Sequence, residues 1–298
     1  MISLISAPSN LGLRPPEPSA VPGTSKAPEA LREAGLHTRL LAAGGADAGV
    51  VIPGRYRDVV EPGHVRNEAA LIDHAVRLAE RIKAAVDAGH APLVLGGDCS
   101  LVVAAGVSLA GRDAGLLYLD GHTDFRHPGN GGPVDAMGGE ALAAAIGLHI
   151  PEVADIAGLG PYFAASRTVQ VGCRDDDVDA SLVRASIADV VTASEVEADP
   201  VAAGARAVGF AGSGFWLHLD VDILGPAVMP AVDSPDPGGI DVDQLVLLLQ
   251  RLAPHAVGAD VCIFDPDLDL DGRFARLLAD VVVAGLGALG SEVTRRVR

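Results

Sequence analysis

The feature that most constrains this chain is a set of short apolar runs, several of which end on acidic residues. Each alternates with a longer stretch of helical periodicity. LLYLD (116–120), TVQVGC (168–173) and WLHLDVD (216–222) are apolar at nearly every position. A half-exposed strand would alternate, whereas a continuous run this short suits a strand covered on both faces of a parallel sheet. Strands are therefore expected near 2–7, 93–97, 115–120, 167–173, 215–221 and 257–264. Between them the spacing predicts helices, most clearly over 66–88, where Gly89 is a stop. Others are expected over Ser100–Ala110, Glu140–Ile146, Val242–Leu252 and Arg273–Leu286. Alternating β and α elements imply a three-layer α/β/α sandwich with a central, mainly parallel sheet. No linker divides the chain, so residues 1–298 are expected to form a single domain.

Composition narrows the partners. A formal charge of -17 disfavours nucleic acid and anionic membrane, which both need clustered Lys and Arg. Cys99, Cys173 and Cys262 are few, odd in number and far apart, which is no disulfide framework. The first residues lack a basic leader pattern, and no apolar run is long enough to span a bilayer. A reducing cytoplasm is the expected location.

Gly- and Pro-rich loops are expected at 8–30, 126–139 and 224–239, the last two directly after strands that end in acidic residues. In open α/β sheets the ligand crevice lies beyond the carboxyl ends of the strands. Three such ends carry chemistry: Gly96-Gly97-Asp98-Cys99-Ser100; then Asp120, His122 and Asp124; then Asp220 and Asp222. Alternate residues of a strand point the same way, so each pair can project together where the strand frays. Four carboxylates converging at one sheet edge repel one another unless a multivalent cation neutralises them. With an imidazole and a thiolate added, the set suits two ions about 3.5–4 Å apart that hold and deprotonate a water. Each cluster alone has an ordinary reading. A lone Asp-x-Asp can cap a loop, and a lone cysteine is more often a small buried hydrophobe. Their recurrence at several strand ends favours metal.

GGDCS, DGHTD and DVDILGPAVMPAVDSPDPGG resemble, in order and spacing, the signature segments of the ureohydrolase (arginase/agmatinase) family. The resemblance runs from APSNLG to the Asp-Pro step near 265. It implies a trimeric or hexameric enzyme of the three-layer fold, with two Mn²⁺ per subunit, whose hydroxide attacks a guanidinium carbon of a small-molecule substrate. By motif position, Asp120 and Asp220 would bridge the ions. Cys99 and Asp124 would complete one shell, and His122 and Asp222 the other. Asp177 resembles the position that binds a substrate α-amino group, and Ser234 falls where a small hydroxyl residue lines the guanidinium pocket. Asp124 and His127 are the candidate catalytic residues, His127 as a stand-in proton shuttle.

The departures are specific. Cys99 replaces a histidine ligand, and its softer thiolate tilts selectivity from Mn²⁺ toward Zn²⁺, Fe²⁺ or Co²⁺. Met137 stands where arginases carry their shuttle histidine, with Glu140 the nearest acid. Ile263 stands at the position of the guanidinium-binding glutamate, removing a strong charge-assisted contact. Gly225 replaces the aspartate of the family's Leu-Asp-Pro step. The expected function is therefore hydrolysis of a guanidino, N-hydroxyguanidino or amidino C–N bond, with plain arginine disfavoured. The alternative is a non-catalytic arginase-fold partner or metal-binding regulator. A deacetylase-like reaction fits less well, because both carboxylate pairs are complete. The alternating Asp265, Asp267, Asp269 and Asp271 lack the downstream glutamate of a calcium loop and read as a solvated lead-in to a helix.

Overall fold

The computed structural model describes residues 1–131 and 134–293. Eight strands form one sheet: β1 (Ile2–Ala7), β2 (Ala46–Val50), β3 (Ala91–Gly96), β4 (Leu116–Leu119), β5 (Thr168–Val171), β6 (Asp189–Val191), β7 (Phe215–Asp220) and β8 (Ala256–Cys262). Their order across the sheet is β2-β1-β3-β8-β7-β4-β5-β6, and every named pair is parallel. Each residue of β3, β4, β5 and β7 is buried. That explains their largely apolar sequences, since helices cover both faces.

The helices follow from their patterns. In Val242–Leu252 the buried residues are Leu245, Leu248, Leu249 and Leu252, one stripe at three-to-four spacing. Fully burying each leucine contributes about 2 kcal/mol. Leu101–Leu109 is buried on nearly all sides, which its sequence LVVAAGVSL permits because it has no polar face to hydrate. It packs on Glu68–Asp87, while Pro200–Ala211, Val242–Leu252 and Arg273–Leu286 pack side by side elsewhere.

The six expected strands are all present. The two that sequence patterning does not reveal, β2 and β6, are the sheet's edges. β2 reads ADAGV and is largely exposed, and β6 has only three residues, so neither carries the central-strand signature. Helices at Ala27–Glu33, Leu36–Ala42, Ala180–Ser186, Ala193–Ala198 and Pro200–Ala211 also go beyond the expected set. Several are short, and four of the five are rich in alanine and other small residues. The first of them begins inside the expected 8–30 loop. Asp269 accepts the backbone N–H groups of Phe274 and Ala275, so the Asp-rich stretch does lead into a helix. Asp265 and Asp269 are buried, however, and not solvated, because each accepts backbone N–H groups.

Four strands, β3-β8-β7-β4, lie side by side at the centre although β3 and β4 are consecutive in sequence. The order therefore jumps at the middle of the sheet, the place where an open parallel sheet opens a crevice at its carboxyl edge. No helix among the described residues is long and apolar enough to cross a membrane.

Candidate metal centre

The turn after β3 delivers Cys99. A side-chain carbon on Gly97 would sit 2.2 Å from the Ser9 carbonyl oxygen, so only glycine lets the two segments touch. Asp98 locks the turn: it accepts from Ser9 Oγ at 2.7 Å and from the Ser100 N–H at 3.0 Å. Asp98 therefore holds the loop, and Cys99, 1% exposed, faces the carboxylates.

Asp120 and Asp220 end the neighbouring strands β4 and β7, and each turn fixes one carboxylate oxygen by a backbone N–H. Asp120 Oδ1 accepts from His122 N at 2.6 Å, and Asp220 Oδ1 accepts from Asp222 N at 2.8 Å. Asp222 Oδ1 accepts from Gly121 N at 2.9 Å, which ties the two strand ends together. The second oxygens then face one another. Asp222 Oδ2 lies 2.8 Å from His122 Nδ1, Asp220 Oδ2 accepts from Cys99 Sγ at 3.0 Å, and Tyr118 donates its hydroxyl to Asp124 Oδ2 at 2.5 Å. Asp120 Oδ2 is buried and has no hydrogen-bond partner among the described residues. A buried carboxylate oxygen left bare costs free energy unless something of opposite charge meets it.

The charge state shows the same strain. Burial, then the charges of Asp124, Asp222 and Asp220, pushes the Asp120 carboxyl well above the carboxylate range. Burial and the Asp222 charge do the same to Asp220. Burial raises Asp124 to about 6. Burial opposes the charge on His122, but the bond to Asp222 and the charges around it carry His122 up to about 9. Burial also opposes the Asp222 carboxylate, yet His122 outweighs it and holds Asp222 below its usual value. One imidazolium cannot balance four carboxylates, whereas divalent metal ions can. Two groups of metal-capable atoms within 4.8 Å of one another fall in this set: Cys99, Asp120 and Asp124; and Asp120, His122 and Asp222.

The six expected ligand positions, Cys99, Asp120, His122, Asp124, Asp220 and Asp222, therefore come together. The other expected site residues lie around them. Asp177 accepts from the N–H and hydroxyl of Thr123 at 3.1 and 2.8 Å, which binds it to the loop carrying Asp120 and Asp124. Its carboxylate stays half-exposed. Ser234 is exposed, at a φ of 51°, and donates to Asp233 at 3.1 Å. His127 is engaged locally, its Nδ1 accepting from Gly129 N at 3.0 Å and its ring standing edge-on to Phe125. Met137 is fully buried in the core, and Ile263 is 3% exposed.

Three contributors escape sequence reasoning. Asp236, an exposed loop residue, lies 3.2 Å from His122 Nε2 through a carboxylate oxygen and so holds the ring's far side. Arg174 is buried, and its guanidinium donates to the carbonyls of Asp222, Asp236 and Pro237, pinning the 224–239 loop to the strand end. Its position inside the VGCRDDDVD segment, where the neighbouring acids stand out more, is the available signal. His149, 3.0 Å from Glu140 through Nε2, has none, because the pair forms only in three dimensions.

The sequence profile of the arginase family matches residues 2–287. The chain is 28% identical to the arginase of Bacillus caldovelox, over 98% of this chain and 98% of that one. The native structure of the Bacillus caldovelox arginase superposes with a TM-score of 0.85 at 25% identity, covering 96% of this chain and 98% of that one. A formimidoylglutamase of Aeromonas salmonicida is 27% identical over 76% of this chain and 72% of its own length. The proclavaminate amidino hydrolase of Streptomyces clavuligerus superposes with a TM-score of 0.73 at 26% identity, covering 98% of this chain and 92% of that one.

Proposed function

The chain belongs to the arginase family, and from that premise we propose that it is a metal-dependent hydrolase cleaving an amidino, guanidino or N-hydroxyguanidino C–N bond in a small molecule other than plain arginine. The observation that carries this reading is the convergence of four buried carboxylates with His122 and Cys99, one carboxylate oxygen being left without a partner. Such a donor set would hold two divalent ions through Asp120, Asp220, Cys99, Asp124, His122 and Asp222. Mn²⁺ is the first candidate, and the Cys99 thiolate favours Zn²⁺, Fe²⁺ or Co²⁺ as alternatives. Bound there, the ions would supply Lewis-acid charge and make water a strong nucleophile at neutral pH.

The protein groups position the rest. Tyr118 orients Asp124, and Asp236 and Asp222 hold His122 from both ring nitrogens. Asp177 offers a half-exposed carboxylate to a substrate ammonium, and Ser234 a hydroxyl to its polar end. His127 serves as proton shuttle only by giving up its bond to Gly129. Ile263 offers no charge to a guanidinium, which favours a less basic substrate. Relatives are named for arginine, for formimidoylglutamate and for an amidino substrate, so substrates other than arginine occur among them. We also read residues 1–298 as one domain, acting in the cytoplasm as a homo-oligomer of three or six copies.

Metal content per chain, measured without chelator and after Mn²⁺ incubation, tests the reading first. Close to two ions per chain is expected, followed by urea-type product from one of a panel of guanidino and amidino compounds. Asp222→Ala should abolish that turnover, and unchanged turnover would remove the two-ion mechanism. Cys99→His should keep or raise the retained manganese.

The buried Met137 and Ile263 favour one second reading, a partner subunit without catalysis. No retained metal under either condition, with the fold intact, would select it.

A further inference from the structure

Among the described residues, one further group of metal-capable side chains extends from Cys99 away from the carboxylate set. Cys262 is the last residue of β8, His218 lies in β7 beside it, and both meet the inner side of Cys99. Cys99 Sγ is 3.7 Å from Cys262 Sγ, and Cys262 Sγ is 3.7 Å from His218 Nε2. Asp220 Oδ2 stands 3.0 Å from the first sulfur and 4.0 Å from the second. The ligand atoms of Cys99, His218 and Cys262 all lie within 4.8 Å of one another, and all three residues are buried. A tetrahedral zinc with Zn–S bonds of about 2.3 Å separates its sulfurs by about 3.8 Å. The two sulfurs already sit at that spacing.

The imidazole is oriented to join them. His218 Nδ1 lies 2.6 Å from Asp260 Oδ2, and Asp260 Oδ1 accepts from the indole N–H of Trp216 at 2.5 Å. Tyr118 stacks on the ring with centroids 4.2 Å apart. Metal-binding histidines characteristically give their second ring N–H to a carboxylate, which fixes the tautomer and turns the free nitrogen to the ion. Here that leaves Nε2 facing the sulfurs. Two thiols in simple contact would need neither a pinned imidazole nor a carboxylate oxygen within 4.0 Å of both sulfurs.

We propose that Cys99, Cys262 and His218, with Asp220 as the fourth ligand, form a second, soft metal site that takes Zn²⁺ or another thiophilic divalent ion. The proposal touches the hydrolase reading only in sharing Cys99 and Asp220. An ion held by four protein ligands has no open position, so it is structural or inhibitory, not catalytic.

The test uses the full-length, reduced, chelator-treated protein, titrated anaerobically with Co²⁺ and then with Zn²⁺. The readout is the near-ultraviolet thiolate-to-cobalt band, which reports how many sulfurs bind. A two-sulfur band displaced by Zn²⁺ is expected. Cys262→Ser should cut it to about half, one sulfur of two. Asp260→Asn keeps the side-chain shape and should weaken cobalt binding by about 10–100-fold. Asp222→Asn should leave the two-sulfur band unchanged, because Asp222 belongs to the other donor set. A one-sulfur band that Cys262→Ser does not alter, or no thiolate band at all, would overturn the proposal. Loss of manganese binding and hydrolysis with the two-sulfur band intact would instead overturn the hydrolase reading and leave this site standing.

Discussion

Glu140 shows how much a single side chain can do without announcing itself. The sequence presents it as an acid in a glycine-rich loop, and the structure buries it to 1% exposure. One oxygen accepts the N–H groups of Asp135 and Ala136 at 2.9 and 3.0 Å, and the other meets His149. Glu140 thus shapes the loop that carries Met137 into the core. Truncating it would strand two backbone donors and an imidazole, each worth about 1–3 kcal/mol when buried and unpaired. Glu140→Ala should therefore destabilise the protein by about 3 kcal/mol or more in urea unfolding, and Glu140→Gln by less, since an acceptor oxygen remains. A loss below about 1 kcal/mol for the alanine variant would show that the loop does not depend on this residue. That six metal-capable residues, Cys99, Asp120, His122, Asp124, Asp220 and Asp222, come together is readable because strand alternation and motif order place them. Ile263 is readable as a missing acid but not as strained, for nothing in VCIFDPDLD announces a φ of 70°. Such backbone is rare for a β-branched residue and costs on the order of 1–2 kcal/mol. Asp124 and Ser234 also lie at positive φ, so three residues of this region adopt conformations that only tertiary packing imposes.

Elements are legible in proportion to how much of their stability is local. Val242–Leu252 and Arg273–Leu286 match expectation to the residue, because each carries a leucine or valine stripe and is bounded by helix-ending residues. These are Asp241 before and Pro254 shortly after the first helix, and Gly272 and Gly287 on either side of the second. The first helix begins with a reciprocal cap: Asp241 accepts from Gln244 N, and Gln244 accepts from Asp241 N, both at 2.8 Å. Asp241→Ala should cost about 1 kcal/mol, the usual worth of such a cap. It should be visible as a lowered urea midpoint at an unchanged slope. An unshifted midpoint would mean that packing of the leucine stripe alone fixes the helix start. The edge strands are illegible for the converse reason. β6 exists because Val169, Gln170 and Val171 of β5 offer it a partner, and its own three residues carry no pattern.

At the scale of the whole molecule, alternation of elements predicts a parallel sheet but not the order β3-β8-β7-β4, which is set by contacts distant in sequence. That order brings Cys99, Asp120, Asp220 and Cys262 to one edge, and it concentrates charge there. Its consequence is global and depends on pH. Asp124 is raised to about 6 from an ordinary 3.8, and Asp120 and Asp220 are raised further in the same direction. Without metal, the folded chain binds these protons more tightly than the unfolded chain does. The stability they contribute is complete below pH 3.8 and is lost as pH rises through 6 and beyond. His122, raised to about 9, acts in the same direction. The exposed carboxylates held low by surface partners, Asp73 and Asp87 among them, act oppositely, but only as pH falls below their ordinary value of 3.8. Burial holds the imidazoles of His37, His74 and His127 below their ordinary 6.5, so they act oppositely inside this range, but their shifts are smaller than those of the cluster. Between about pH 4.5 and 7 the buried cluster therefore dominates, and chelator-treated protein should become less stable across that interval. Divalent metal, which needs the ionised carboxylates, should remove the decline and stabilise most at the neutral end. Thermal unfolding of stripped and Mn²⁺-loaded protein at several pH values checks both halves. Stability of the stripped protein that rises with pH across the interval would mean that the four carboxylates are already neutralised by the protein itself, and that the site has no need of a metal.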